Sequence, residues 1–158
     1  MTSATLTRIQ PGPAVPAAYQ AMLSLAAVVE KAATDAGLDR LLVKLVKLRA
    51  SQLNGCAFCL DMHSAEALKA GEDPRRIFVL EAWRETDLYS EQERAALDLT
   101  EAMTALTDTH GVSDEVYERA MGAFTEAQYA AVHWVIVTIN SWNRLAIPGR
   151  PELPGSAR

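Results

Sequence analysis

The side chains able to do chemistry in this sequence are few and close together. The segment LRASQLNGCAFCLDMHS, residues 48–64, holds the chain's only two cysteines, Cys56 and Cys59, and one of its three histidines, His63. The cysteines are three residues apart, and His63 follows Cys59 by four. At about 100° per residue, a helix would set all three within roughly 60° of one another, so one face would present two sulfurs and an imidazole. Asn54-Gly55 interrupts any preceding helix and puts Cys56 at or near the start of the next. First-turn N–H groups and the helix dipole favour negative charge there. That terminus and a neighbouring imidazole both lower a thiol's pKa, and the thiolate is the reactive form. His63 can take a proton from Cys59 or give one to a leaving oxygen. The helix start favours Cys56 as the reactive sulfur and the imidazole favours Cys59; the residues alone leave that choice open.

Competing explanations of the pair are weaker. A bridge between residues 56 and 59 closes a very short loop and adds little stability. A structural zinc site needs four ligands, and Cys56, Cys59 and His63 are three; His110 and His133 stand at no motif spacing. No metal is therefore expected, although a metal-binding helical protein stays as a minor alternative. Haem attachment needs histidine directly after the second cysteine, where Leu60 stands. A thioredoxin-type domain needs a βαβ pattern, which is absent. Two buried, inert cysteines beside a helix-face histidine form the remaining alternative.

The elements that must position these residues read as helices. Residues 1–15 have no helical pattern and are expected to be an extended arm. One domain, residues 16–149, follows, and residues 150–158 form a tail. A first helix runs from Pro16 to about Ala36 and is stopped by Gly37, a second from Leu38 to Leu53, and a third from the cysteines to Gly71. Asp73-Pro74 opens a fourth. Ser90 with Glu93 forms a capping box for a fifth, reaching about Leu106. Ser113 or Asp114 opens a sixth. Thr125 with Gln128 forms a second capping box, for a last helix reaching about Ile147, and Phe124 can staple to Tyr129. The expected fold is an all-α, compact single-domain bundle of about six or seven helices. In the second helix Arg40, Lys44, Lys47 and Ser51 form a polar stripe, with leucines facing elsewhere. The last helix is apolar nearly all round, which suits a bundle centre or a subunit interface; His133, Asn140, Asn143 and Arg144 argue against a membrane span.

Composition narrows the partners. The 158 residues are 49% hydrophobic and 22% charged, with a net charge of −5. That profile suits a globular protein, and its acidic balance argues against nucleic acid, whose phosphates call for a basic face. The N-terminus, MTSATLTRIQPGPAVP, carries no apolar run, so a cytoplasmic protein is expected. In a reducing cytoplasm a lone close cysteine pair is catalytic or metal-binding more often than structural.

SQLNGCAFCLDMH, residues 51–63, resembles the signature of alkylhydroperoxidase-D-like proteins in the carboxymuconolactone decarboxylase superfamily. INSWNRLAIP, residues 139–148, and YSEQERAALDLTEAMT, residues 89–104, resemble the family's last helix and the one before it. The resemblance implies an all-helical fold assembling as a homotrimer or homohexamer. It also implies reduction of organic hydroperoxides through a cycling Cys56–Cys59 disulfide, with no further cofactor and an external dithiol or thioredoxin-like reductant. Carried over position by position, Cys59 would attack, Cys56 would resolve, and His63 would belong to the proton relay. The family pattern has glutamate twelve residues before the first cysteine, where this chain has Lys44, and histidine can stand just before the second, where this chain has Phe58. Lys44 could still lower a thiol pKa by its charge, or belong to a solvated stripe. Glu93 and Glu101 are candidate substitutes for the missing carboxylate. Asn140, Trp142, Asn143 and Arg144 could line the site or an interface, and His133 reads as a core histidine. An oligomeric scaffold or redox sensor with a weakened site is the alternative function.

Overall fold

The computed structural model describes residues 7–153 and is helical, with no strand among the described residues. Nine α-helices and one 3-10 segment follow in order: α1 (Pro11–Ala14), α2 (Pro16–Asp35), α3 (Arg40–Asn54), α4 (Ala57–Lys69), α5 (Pro74–Phe78), the 3-10 segment Leu80–Glu85, α6 (Glu91–Thr104), α7 (Leu106–Thr109), α8 (Asp114–Ala123) and α9 (Glu126–Gly149). The expected bundle is present; the larger element count comes from the one-turn pieces α1 and α7 and the 3-10 segment.

Local chemistry sets most boundaries. Ser90 Oγ accepts from the Glu93 N–H at 3.2 Å while the Glu93 carboxylate accepts from the Ser90 N–H at 2.8 Å. Thr125 and Gln128 repeat the exchange at 3.2 and 3.1 Å. Each box satisfies two N–H groups that a helix start would otherwise leave unpaired. Asp39 caps α3, Asp73 caps α5 ahead of Pro74, and Ser113 caps α8. α3 stops at Gly55, whose φ of 71° is left-handed, a conformation that glycine adopts without steric cost.

The arm differs from its expectation. Its first six residues lie outside the described part, as do residues 154–158 of the tail. Residues 11–14 are one helical turn rather than extended, because Pro11 and Pro13 preset φ and the Val15 N–H bonds back to the Pro11 carbonyl. Arg8 and Gln10 donate to the carbonyls of Pro148 and Gly149, which fastens the arm to the end of α9. The fifth helix ends at Thr104, two residues short of expectation, where Ala105 leaves the helical dihedrals.

α3 is the central element, packed on α4, α6 and α9. Its Leu42, Val43 and Val46 join a core with α2, α6, α8 and α9, while Leu45 and Leu48 join a second with Ala67, Leu80, Trp83, Tyr89 and Leu97. Each fully buried leucine contributes roughly 1.5–3 kcal/mol. With a core on two sides, α3 turns Lys44 and Lys47 toward the site and Arg49 toward Glu101 of α6.

Candidate functional site

α2, α3, α4 and α9 enclose a cavity of about 430 Å³. Tyr19 and Trp142 form one wall, edge to face with ring centroids 5.5 Å apart. Phe58, Cys59, Met62 and His63 of α4 form another. The cavity is largely apolar, with Lys44, Lys47, Glu30 and Glu66 as its charged lining.

Cys56 and Cys59 are joined as a disulfide, with Cα atoms 5.3 Å apart. Cys56 occupies the N-cap of α4 in extended backbone, and its Sγ accepts from the Cys59 N–H at 3.3 Å. It therefore precedes the helix, so the single helical face expected for all three residues is shared only by Cys59 and His63. The two sulfurs also differ in placement. Both are buried, Cys56 1% and Cys59 3% exposed, but Cys59 lines the cavity with His63 and Cys56 does not.

The end of α3 before Cys56 is held from α9. Asn54 Nδ2 donates to Asn140 Oδ1 at 2.9 Å and to Asn143 Oδ1 at 2.8 Å. Asn143 in turn donates to Ser51 Oγ at 3.1 Å, and Asn140 to Thr104 Oγ1 at 3.0 Å. The amides of α9 thus serve the end of α3 just before the Gly55 turn, and Asn143 and Ser51 are fully buried with partners. Of the four α9 residues singled out from sequence, Trp142 lines the cavity, Asn140 and Asn143 tie helices together, and Arg144 bonds back to Asn140.

Of the stripe on α3 only Arg40 is exposed. Ser51 is buried, and Lys44 and Lys47 point into the cleft, their side chains 21% and 17% exposed. Lys47 pairs with Glu30 of α2, and Arg40 donates to the Ala70 carbonyl at 2.7 Å, closing the end of α4. Lys44 Nζ lies 2.7 Å from Glu66 Oε2, and the same oxygen lies 3.1 Å from His63 Nδ1. Glu66 is the site residue that sequence reasoning missed. Its position three residues after His63, on the same helix face, was the available signal.

Burial, with help from the charges of Lys47 and Lys44, lowers the His63 pKa against the opposing pull of Glu66. Burial raises the Glu66 carboxyl, but hydrogen bonds from Lys44 and His63 outweigh it and hold the group below the ordinary carboxylate range. A neutral base and an ionised carboxylate therefore stand side by side at neutral pH.

The other expected carboxylates are elsewhere. Glu101 Oε1 accepts from Arg49 Nε at 2.7 Å and Trp83 Nε1 at 2.8 Å, and Glu93 is committed to its capping box and Arg76. Neither lines the cavity. His133 is half-buried against Tyr129, and His110 follows α7 beside Gly111; neither joins the cysteines. Among the described residues no group of three or more His, Cys, Asp or Glu side chains is arranged to hold a metal ion. No helix of the described residues is long and apolar enough to cross a membrane.

Comparison with known proteins agrees with this architecture. The model of the carboxymuconolactone decarboxylase family matches residues 13–102. The chain is 45% identical over 119 residues to the uncharacterized protein YdfG of Bacillus subtilis (strain 168), covering 75% of this chain and 80% of that one. A crystal structure from Agrobacterium tumefaciens, of a protein of unknown function provisionally described as an antioxidant defence protein AhpD, superimposes with a TM-score of 0.84. That match has 36% identity and covers 94% of this chain and 99% of the other. The debrominase Bmp8 shares the fold at a TM-score of 0.68 and 18% identity, covering 75% of this chain and 62% of its own.

Proposed function

The chain belongs to the carboxymuconolactone decarboxylase family, and from that premise we propose that it is a thiol-dependent peroxidase reducing organic hydroperoxides. The observation that carries this reading is the unequal placement of the two bonded, buried sulfurs. Cys59 lines an apolar cavity together with His63, and Cys56 does not. The reduced pair supplies two electrons. His63 takes the Cys59 proton, and the thiolate attacks the terminal peroxide oxygen, breaking the O–O bond. Cys59 becomes a sulfenic acid, and the departing alkoxide takes the proton back from His63 to leave as an alcohol. The Cys56 thiol then displaces water from the sulfenic acid, forming the disulfide. An external dithiol, such as a thioredoxin-like protein, exchanges with that disulfide and is itself oxidised. We place this activity in the cytoplasm, in an antioxidant role, and in a homotrimer or homohexamer.

The test is a thiol titration of reduced protein before and after a panel of hydroperoxides. Loss of both thiols, with one alcohol formed per disulfide, is expected, and Cys59→Ser abolishes it. Retention of both thiols with every hydroperoxide overturns the reading. A redox sensor is the second reading, favoured by Phe58, which fills with hydrocarbon a position where the family can carry a second histidine. A sensor would oxidise once and change its assembly, without sustained turnover when dithiol is supplied.

A further inference from the structure

Lys44 stands where the family pattern has glutamate, yet the site still holds a carboxylate. It comes from the other helix. Glu66 lies three residues beyond His63 on α4, and its Oε2 meets both Lys44 Nζ and His63 Nδ1. An ionised carboxylate can only accept hydrogen bonds, so Nδ1 must carry the imidazole proton and Nε2 the lone pair. An isolated neutral imidazole prefers the reverse, with its proton on Nε2. The geometry points to Glu66 as the positioning residue of this site: anchored by Lys44, it locks the His63 proton on Nδ1 and leaves Nε2 as the base for Cys59. This role rests on the peroxidase reading for its use, though not for its existence.

The surroundings agree with such a lock. The charged groups on His63 are Lys44 and Lys47 of α3 and Glu66 of its own helix, with Glu30 of α2 paired to Lys47. α9 lines the cavity with apolar residues and Thr138, and with no titratable group. His63 is held neutral, and only a neutral imidazole has tautomers to choose between. Its side chain is 8% exposed, so solvent is a poor substitute for the Nδ1 partner. Lys44, inherited in place of a relay carboxylate, becomes the group that holds the relocated one.

The experiment measures the His63 tautomer by nitrogen-15 NMR in the reduced protein, alongside the pH profile of Cys59 alkylation by iodoacetamide. A Cys56→Ser background leaves one thiol to read. The starting protein should show hydrogen on Nδ1. Glu66→Ala should move it to Nε2 and slow Cys59 alkylation at neutral pH by about tenfold or more, toward the roughly 10² at the low end for a positioned acid–base group. Glu66→Gln keeps an acceptor, so it should retain the Nδ1 proton and most of the rate. Hydrogen on Nε2 in the starting protein overturns the proposal. So does a Glu66→Ala variant in which either the tautomer or the Cys59 rate is unmoved. If the unmodified protein reduces no hydroperoxide, the peroxidase reading falls, while these two measurements still decide the role of Glu66.

Discussion

Glu66 and Glu101 sit on different helices packed against α3, and each accepts a hydrogen bond from a cation that α3 supplies, Lys44 in one case and Arg49 in the other. Their remaining partners separate them. Glu101, its side chain 18% exposed, also takes Trp83 and Arg84, and all three of its donors keep their protons throughout the physiological range. Glu66, 42% exposed, shares its oxygen with an imidazole that keeps its Nδ1 proton but changes charge as Nε2 gains or loses one. In both, burial raises the carboxyl pKa and stronger hydrogen bonding brings it below the ordinary value. The same device therefore gives a fixed joint where the donors' charges are permanent and an adjustable one where a donor's charge changes with pH.

The largest effect that would break this contrast is on stability. Glu101→Ala strips the carboxylate from Arg49, whose side chain is only 9% exposed, and leaves a nearly buried charge short of its partner. A loss of about 3–5 kcal/mol is expected, read from the denaturant midpoint, with the Cys59 rate per folded molecule unchanged. Glu66→Ala should do the opposite, costing under about 1 kcal/mol because its ion pair is solvent-screened. Equal stability losses in the two variants would erase the distinction.

A smaller effect sharpens it. Lys44→Glu writes the family's glutamate back into α3, but here it sets a second carboxylate beside Glu66. Peroxide-dependent thiol loss should slow several-fold, consistent with the cost of an uncompensated like charge near the site. A gain in rate would mean that the want of a carboxylate on α3 limits the site and that Glu66 does not replace it.

The smallest effect is in the pH dependence of stability. Glu66 and Glu101 have lowered folded-state pKa values, so the unfolded chain binds their protons first. Their stabilisation is complete above the ordinary carboxylate pKa of about 4.5 and is lost as pH falls through the folded values. His63, also lowered, has the same sign, so its contribution begins to fall below about 6.5. Glu72 opposes them, since burial raises its carboxyl and the folded state protonates first. Denaturant midpoints against pH should therefore lose their earliest decline in His63→Gln and part of their steeper acid limb in Glu101→Ala. Unchanged curves would dissociate these contacts from stability.

Legibility in the sequence followed the range of the interaction. Both capping boxes, the Asp73-Pro74 start and the Gly55 stop depend on neighbours within four residues, and each stands where the pattern indicated. Cys59 and His63 were legible for the same reason. Which sulfur lines the cavity was not legible in the residues themselves, because α2 and α9 wall that cavity. Lys44 read equally well as solvated or functional; its partner lies 22 residues away, and only the packing of α3 on α4 brings them together. Glu66 was half legible, through its spacing from His63 but not through the lysine that anchors it. Glu93 and Glu101 read as relay candidates because nothing local reveals that their partners, Arg76 for one and Arg49 with Trp83 for the other, hold them away from the cavity.

The amide ladder from α9 to Asn54 also bears on how the chain is born. Asn54 waits for Asn143, 89 residues later, and synthesis runs from the N-terminus. Both cysteines emerge from the ribosome long before the helix that braces the turn ahead of them exists. Throughout that interval the two thiols belong to an unbraced segment, open to any oxidant or metal in the surroundings. A nascent chain halted before α9 would carry both cysteines without the cavity wall that sets Cys59 apart from Cys56. The brace on the turn before the cysteines is therefore acquired only after α9 has been made.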